Sequence, residues 1–143
     1  MNFSPEPVFI EVVAPDATAA SRILRSYIDD VASRNYGRQA TDEEIDASQH
    51  EDPSIDLSPP SGLCLVARRR DAVLGCAGLR LLPERLGEVK RLFVAPAARG
   101  RGLVARLMGE LERIARKRKS DVRLIYQALG VYSMQVPETP RTA

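Results

Sequence analysis

Residues 88–117 read EVKRLFVAPAARGRGLVARLMGELERIARK, and this stretch decides the fold. Apolar and β-branched residues over Glu88–Val94 predict a strand, which Pro96 ends. A loop with two glycines and two arginines follows. Apolar residues then recur at the spacing of an amphipathic helix over 103–117. A strand, a glycine loop and a helix therefore succeed one another directly.

The loop Arg99-Gly100-Arg101-Gly102 has the chemistry of an anion site. The first turn of a helix presents backbone N–H groups without intrahelical partners, and the helix dipole adds partial positive charge there. Glycines at 100 and 102 permit a close approach to the backbone, and the arginines add full charge. The pattern predicts a pyrophosphate site, although a Gly-x-Gly beside arginines is by itself a weak signal.

The flanking sequence predicts an α+β layer with a mostly antiparallel central sheet flanked by helices. One helix is predicted over 17–33, capped by Asp16, and a second begins at Thr41, where Glu44 completes a capping box. Strands are predicted over 8–13, 63–68 and 73–82, the last two joined as a hairpin.

Length and composition exclude several classes of protein. The 143 residues fit a single domain over 1–143, and 1–7 and 137–143 are predicted to be flexible. No apolar run approaches the roughly 20 residues that span a bilayer, and the N-terminus lacks a secretory signal. The sole histidine, His50, lies in a polar stretch, and Cys64 and Cys76 sit in apolar runs. A cytoplasmic protein is therefore predicted, without a membrane partner, a metal site or a Ser/His/Asp triad.

Residues 94–105, VAPAARGRGLVA, closely resemble the acetyl-CoA-binding motif of the GNAT N-acetyltransferase superfamily. That motif is Arg or Gln, two residues, Gly, one residue, then Gly or Ala, and Arg99 and Gly102 match it. The segment 88–94 resembles the family's central strand, and the resemblance covers residues 8–118. It implies a GNAT-like fold with acetyl-CoA as co-substrate.

The resemblance also implies the roles of individual residues. Phe93 and Val94 would offer backbone groups to the pantetheine arm and the acetyl carbonyl. The acetyl group would pass directly to an amine of a small molecule or protein, with a carboxylate as general base. Glu88 is the candidate base; the alternative is a strand-end carboxylate that is exposed or paired with an Arg or Lys. The residues expected to hold the pyrophosphate are Arg99, Gly100, Arg101, Gly102, Leu103, Val104 and Ala105.

Two features depart from the family's pattern. The motif's last small residue falls at position 104, where the branched Val104 is expected to weaken phosphate binding. After Lys119 only 24 residues remain, whereas a strand, a helix and a final strand need about 34. The C-terminal portion is therefore expected to be shortened.

Two interpretations of residues 121–130 stay open. The segment resembles the family's last helix, in which Tyr126 would be the general acid for the departing thiolate. Equally, 122–129 reads as a strand, and Tyr126 is then a packing residue. The sheet would in that case have an exposed edge or borrow one from a second copy, so a homodimer is also a prediction.

Charge is unevenly placed along the chain. Residues 1–62 hold four Arg/Lys and 12 Asp/Glu, whereas 63–143 hold 17 and seven. The acidic half favours a cationic acceptor, but only weakly. The basic run 113–119 is compatible with nucleic acid binding, but cations at a helix C-terminus complement the dipole, and CoA carries a 3′-phosphate that needs positive charge nearby. No aromatic residues are interleaved for base stacking, so no nucleic acid partner is predicted.

Three functions from different classes follow, and the third is a nucleic-acid binder that uses the basic helix. The first is an N-acetyltransferase that uses acetyl-CoA and an amine. The alternative is a degenerate GNAT-like module that binds CoA or a partner without turnover, and the short C-terminal portion favours it.

Overall fold

The computed structural model describes residues 7–119, 121–128 and 132–135. Apart from Pro7, the ends predicted to be flexible lie outside these residues. The helices are α1 (Thr18–Tyr36), α2 (Asp42–Glu51) and α3 (Leu103–Arg118). The strands are β1 (Phe9–Val13), β2 (Gly62–Arg69), β3 (Ala72–Leu82), β4 (Leu86–Val94), β5 (Arg123–Ala128) and β6 (Tyr132–Gln135). Short 3-10 turns cover Ser54–Asp56 and Pro96–Ala98.

The six strands form one sheet in chain order, from β1 to β6. Neighbouring strands are antiparallel except β4 and β5, which run parallel because α3 carries the chain between them. The predicted α+β class with a mostly antiparallel sheet is therefore confirmed.

Different helices cover the two faces of the sheet. Successive residues of β2 point to opposite sides, so Leu63 and Leu65 pack with α3, whereas Cys64 and Val66 pack with α1. The buried positions that α3 contributes to its side are Leu103, Leu107, Leu111 and Ala115. The β4–α3 connection therefore leads from the sheet directly to the α3 face.

The helix boundaries follow local capping. The predicted capping box is present: Thr41 Oγ1 accepts from the Glu44 N–H, and the Glu44 side chain accepts from the Thr41 N–H. The prediction that Asp16 caps α1 is wrong, since α1 begins after Ala17 without a side-chain hydrogen bond. α1 also extends past its predicted end to Gly37, where a φ of 66° closes the helix.

The C-terminal portion resolves the two interpretations of 121–130 in favour of a strand. β5 pairs in parallel with β4 from Leu86↔Arg123 to Val89↔Tyr126, so the helical interpretation is wrong. Burial of Val122 against the α3 side of the sheet favours the extended arrangement. β6 follows β5 after three residues and pairs with it antiparallel.

Candidate active site

A bulge interrupts β4 at the centre of the sheet. β3 and β4 pair at Cys76↔Phe93 and again at Gly78↔Lys90, so two residues of β4 lie opposite one residue of β3. One of the two, Arg91, has a φ of 59°, which is rare for a residue with a side chain. The bulge bends β4 just before the glycine loop.

Near the bulge, β4 also ceases to pair with its second neighbouring strand, β5. β5 pairs with β4 only as far as Val89↔Tyr126. Over residues 90–94, the edge of β4 that faces away from β3 has no strand beside it in the described part of the chain. Backbone groups on that edge are therefore available to a ligand lying alongside β4.

The register shows which backbone groups face this open edge. The Ala95 N–H donates to the Leu74 carbonyl on β3, so Ala95 and Phe93 point towards β3 and Val94 points away from it. The prediction that Phe93 offers backbone groups is thus not supported by the register, whereas the Val94 N–H faces the opening. The Phe93 ring is buried and meets the Tyr27 ring edge-on at 6.2 Å.

Arg99, the first residue of the motif, stabilises the start of the loop through contacts with the end of β4. Its Nε donates to the Val94 carbonyl at 3.0 Å, and its guanidinium lies 5.9 Å from the centre of the Phe93 ring. Since Val94 O is occupied in this way, its N–H is the Val94 backbone group left for a ligand. Arg99 therefore ties the glycine loop to the end of β4.

The glycine loop has the geometry that anion binding requires. Gly100 and Gly102 have φ values of 81° and 73°, and a Cβ on either would meet no atom within 4 Å. Gly102 is the N-cap of α3, with no side-chain cap hydrogen bond and no acidic residue in the first turn. The amides of the first turn are therefore open to an incoming anion.

The other motif residues divide between core and surface. Leu103 is buried in the core on the α3 face, whereas Arg101 and Ala105 are exposed. Val104 is 48% exposed and lines the approach to the loop, where its branched side chain takes up room beside the open amides.

A groove of about 590 Å³ connects the glycine loop with the open edge of β4. One wall is the segment from Ala98 to Val104, and the floor is β4 from Val89 to Val94. The opposite wall is α1, through Tyr27, Asp30, Val31 and Arg34. The groove therefore passes from the α3 face of the sheet to the α1 face where β5 has ended.

The α1 wall is the part of the site that sequence reasoning missed. Tyr27 and Val31 belong to the apolar stripe of α1, and no motif in the sequence marks Asp30 or Arg34. The four residues follow the i, i+3, i+4, i+7 spacing of one helix face, which was the available signal. Asp30 and Arg34 form an ion pair at 3.2 Å (Nε–Oδ2), and burial raises the pKa of Tyr27 although the Arg91 guanidinium lowers it.

Glu88 lies outside the groove. Its side chain is 12% exposed on the α1 face of β4. Glu88 Oε1 is 3.9 Å from Nη1 of Arg80, its cross-strand partner on β3. A strand-end carboxylate paired with an arginine is the alternative to a catalytic role for Glu88. Asp30 is the one carboxylate among the described residues that line the groove.

Tyr126 occupies the point where β4 and β5 separate. Its partner Val89 is the last residue of β4 paired with β5, and Val89 lines the groove. The Tyr126 backbone therefore lies at the head of the opening, and its side chain lies outside what the structure describes.

The basic run 113–119 lies at the C-terminal end of α3, away from the glycine loop. Arg116 is 13 residues from Leu103, which is about 20 Å along a helix. Arg113 pairs with Glu110, and Arg118 donates to the Pro60 carbonyl. Arg113 and Arg118 thus contact α3 itself and the loop before β2, and a role of the run towards the cofactor's phosphate stays a prediction.

The described residues contain neither a candidate metal site nor a candidate membrane-spanning helix. In residues 7–119, 121–128 and 132–135, no His, Cys, Asp and Glu side chains form a group of three that could hold a metal ion. Over the same ranges, no helix has both the length and the apolar content to cross a membrane.

The comparisons with known proteins agree with this geometry. An IAA acetyltransferase of Azospirillum brasilense is 44% identical over 61 residues, which cover 42% of this chain and 40% of that protein's length. The PaiA N-acetyltransferase of Thermoplasma acidophilum, solved in complex with coenzyme A, superposes with a TM-score of 0.64 at 17% identity over 85% of this chain and 79% of its own.

An acyl-CoA N-acyltransferase of Pseudomonas aeruginosa superposes with a TM-score of 0.58 at 21% identity, covering 85% of this chain and 78% of that one. At these identities the two solved structures show the fold. The model of the acetyltransferase (GNAT) family matches residues 24–133, a range that includes the bulged strand, the glycine loop and α3. The chain belongs to the GNAT acetyltransferase family.

Proposed function

We propose that this protein transfers the acetyl group of acetyl-CoA to a primary amine of a small molecule or protein. The observation that carries the proposal is the continuous groove from the uncapped amides at Gly102 to the open edge of β4 at Val94. Such a groove suits an elongated ligand with a diphosphate at one end and a reactive carbonyl at the other.

Different backbone groups of the chain bind different parts of acetyl-CoA. The amides from Gly100 to Ala105 hold the pyrophosphate at the positive end of the α3 dipole. The pantetheine arm then lies along residues 90–94 like an additional strand. The Val94 N–H points into the opening and donates to the acetyl carbonyl, where it stabilises the negative charge that develops during transfer.

The reaction needs one base and one acid. The amine nitrogen attacks the thioester carbonyl, the carbon–sulfur bond breaks, and the sulfur leaves with the electron pair and takes up a proton. The amine must also lose a proton, which a carboxylate accepts directly or through water. Asp30 is one candidate for this step because it lines the groove, where it also pairs with Arg34, and Glu88 stays the candidate predicted from the strand. Tyr126 remains the candidate acid.

The net negative charge of residues 1–62 does not by itself determine which acceptor binds. Many of those carboxylates are neutralised locally: Asp42 and Asp46 both pair with Arg25, and Glu44 pairs with Arg38. Charge that meets an acceptor comes instead from Asp30 and Arg34 on the α1 wall.

A second candidate function is CoA binding without turnover. The observation that favours it is that three residues separate β5 from β6, where the family's pattern has a helix between the two strands. We further propose that the protein acts in the cytoplasm without nucleic acid or membrane partners, and that a second copy can pair with the sheet as a homodimer. Two free, buried thiols, Cys64 and Cys76, suit a reducing compartment.

Calorimetry with CoA, combined with thiol release during incubation of acetyl-CoA with a panel of amines, separates the two functions. Binding together with amine-dependent thiol release supports the transferase. Binding alone supports the second function, and the absence of both contradicts the two together.

Single variants then assign the roles. Asp30→Asn, Glu88→Gln and Tyr126→Phe each remove one candidate proton-transfer group, and Asp29→Asn, one residue along α1 and outside the groove, is the matched control. Loss of a general base or acid lowers kcat by about 10²–10⁴. If none of the three falls at least about tenfold below the control, the assignments are wrong.

A further inference from the structure

Arg91 is the bulge residue of β4, and its side chain is unusually constrained. It is 7% exposed and takes a φ of 59°, although it is neither glycine nor asparagine. A conformation of this kind persists where surrounding contacts determine it more strongly than the backbone resists it. Here those contacts come from three separate elements.

The first set of contacts ties Arg91 to the segment after α2. Its Nη2 donates to the Asp52 carbonyl and lies 3.2 Å from Asp52 Oδ2, and its Nε donates to Ser54 Oγ at 3.2 Å. Lys90, which is equally buried, also reaches Asp52, with Nζ 3.3 Å from Oδ1. Burial alone would raise the pKa of Asp52, but Arg91 and then Lys90 lower it, and the net direction is downward.

The second set of contacts holds the Arg91 backbone and joins the Arg91 side chain to the Tyr27 ring. The Cys76 thiol, on β3, donates to the Arg91 carbonyl at 3.2 Å. The Arg91 guanidinium lies 5.5 Å from the centre of the Tyr27 ring, which forms part of the α1 wall. Arg91 is therefore held from β3, from α1 and from residues 52–54 at once.

We propose that Arg91 is a positioning residue that locks the β4 bulge so that the Val94 N–H is aimed at the acetyl carbonyl. This inference rests on the proposed transferase function. The Val94 amide is three residues beyond the bulge, so its direction depends on the dihedral angles at Arg91 and Leu92. The pyrophosphate site, in contrast, is built on Gly102 and α3 and does not depend on this tether.

A purely structural role makes a different prediction. If Arg91 only stabilised the fold, its loss would lower the melting temperature while the folded enzyme kept its turnover number. If it positions the bulge, kcat falls while CoA still binds, because a small misplacement of a catalytic donor has a large effect on rate.

Arg91→Gly tests this, because glycine adopts a positive φ without strain, so the variant keeps the backbone conformation and removes the tether together with the part of the groove wall that the Arg91 side chain forms. Arg70→Gly is the matched control: it replaces an arginine with a φ of 52° in the β2–β3 turn, outside the groove. Relative to the control, kcat of Arg91→Gly is expected to fall at least about tenfold. The CoA dissociation constant is expected to stay within about threefold, a change of about 0.7 kcal/mol.

A second variant covers the case in which Arg91→Gly does not fold. Asp52→Ala removes a half-exposed carboxylate that pairs with Arg91 and lies outside the groove, and it is expected to lower kcat at least about threefold with CoA affinity unchanged.

Turnover within twofold of the control in the folded variants overturns the inference, as does an equal loss of kcat and CoA affinity. A wild-type protein that binds CoA but acetylates no amine overturns the transferase and this inference together. Failure of the inference alone is therefore distinguishable from failure of the proposed function.

Discussion

The sharpest test of the anion site is a methyl group added at Gly102. Gly102→Ala places a Cβ on the N-cap of α3, where φ is 73° and no protein atom lies within 4 Å. The substitution therefore has no steric cost within the protein itself. Its two effects are backbone strain and intrusion into the groove that Gly102 lines.

Both effects have a calculable size. A non-glycine residue in the left-handed region costs about 1–2 kcal/mol, which corresponds to a fall in Tm of about 3–7 °C for a chain of this length. Displacing a phosphate from one backbone amide removes a charge-assisted hydrogen bond of about 1.5–3 kcal/mol. CoA should therefore bind about tenfold to a hundredfold more weakly.

Gly37→Ala is the matched control. Gly37 closes α1 with a φ of 66°, has nothing within 4 Å of its Cβ position, and lies outside the groove. Thermal unfolding should show a similar loss of Tm in both variants, and titration calorimetry with CoA should show weaker binding only in Gly102→Ala. Equal CoA affinity in the two variants would refute the assignment of the anion site to this helix terminus.

Three further predictions follow from the same structure. Val104→Gly opens the first turn of α3 and should strengthen CoA binding severalfold in calorimetry while lowering stability by less than about 1 kcal/mol; unchanged affinity would show that Val104 does not crowd the phosphate. Leu107→Ala leaves a cavity at a fully buried position in the core between α3 and the sheet and should cost about 2–5 kcal/mol in urea denaturation, so a cost below about 1 kcal/mol would contradict the packing described. Hydrogen bonds from Arg38 and from the Thr41 N–H lower the pKa of Glu44 to about 2, so its contribution to stability is complete above the unfolded pKa of about 4.3 and is lost as the pH falls towards 2. Glu44→Gln should therefore flatten the acid side of the Tm–pH curve, and an unchanged curve would rule out this linkage.

Local signals in the sequence predicted the elements well where they were strong. The stripe of α3, the Thr41–Glu44 capping box and the glycine loop all depend on residues within a few positions of each other. Interactions at such short range persist whatever the rest of the chain does, so their outcome is readable from the sequence. The ambiguity at 121–130 arose because a short apolar segment fits either period, and pairing with β4 decided it.

The candidate site was predicted in part. The uncapped amides of α3 and the open edge of β4 lie at the two ends of the glycine loop, and the Val94 N–H faces the opening, so its binding role stays a prediction. Phe93 faces β3 instead, because the register of a strand sets which of two neighbouring residues points outward. A register shift of one residue would have exchanged their roles, and no local pattern fixes it.

By itself, the sequence determined the family, the strand–loop–helix unit and the chemistry of the glycine loop, since these are properties of contiguous residues. Only the tertiary structure decided that α1 forms a wall of the groove and that Arg91 reaches Asp52, 39 residues away. The physical reason is that contacts across the sheet depend on register and on the bulge, which are settled jointly by many distant side chains. Sequence patterns show which face a residue prefers, and the folded chain alone decides what it meets there.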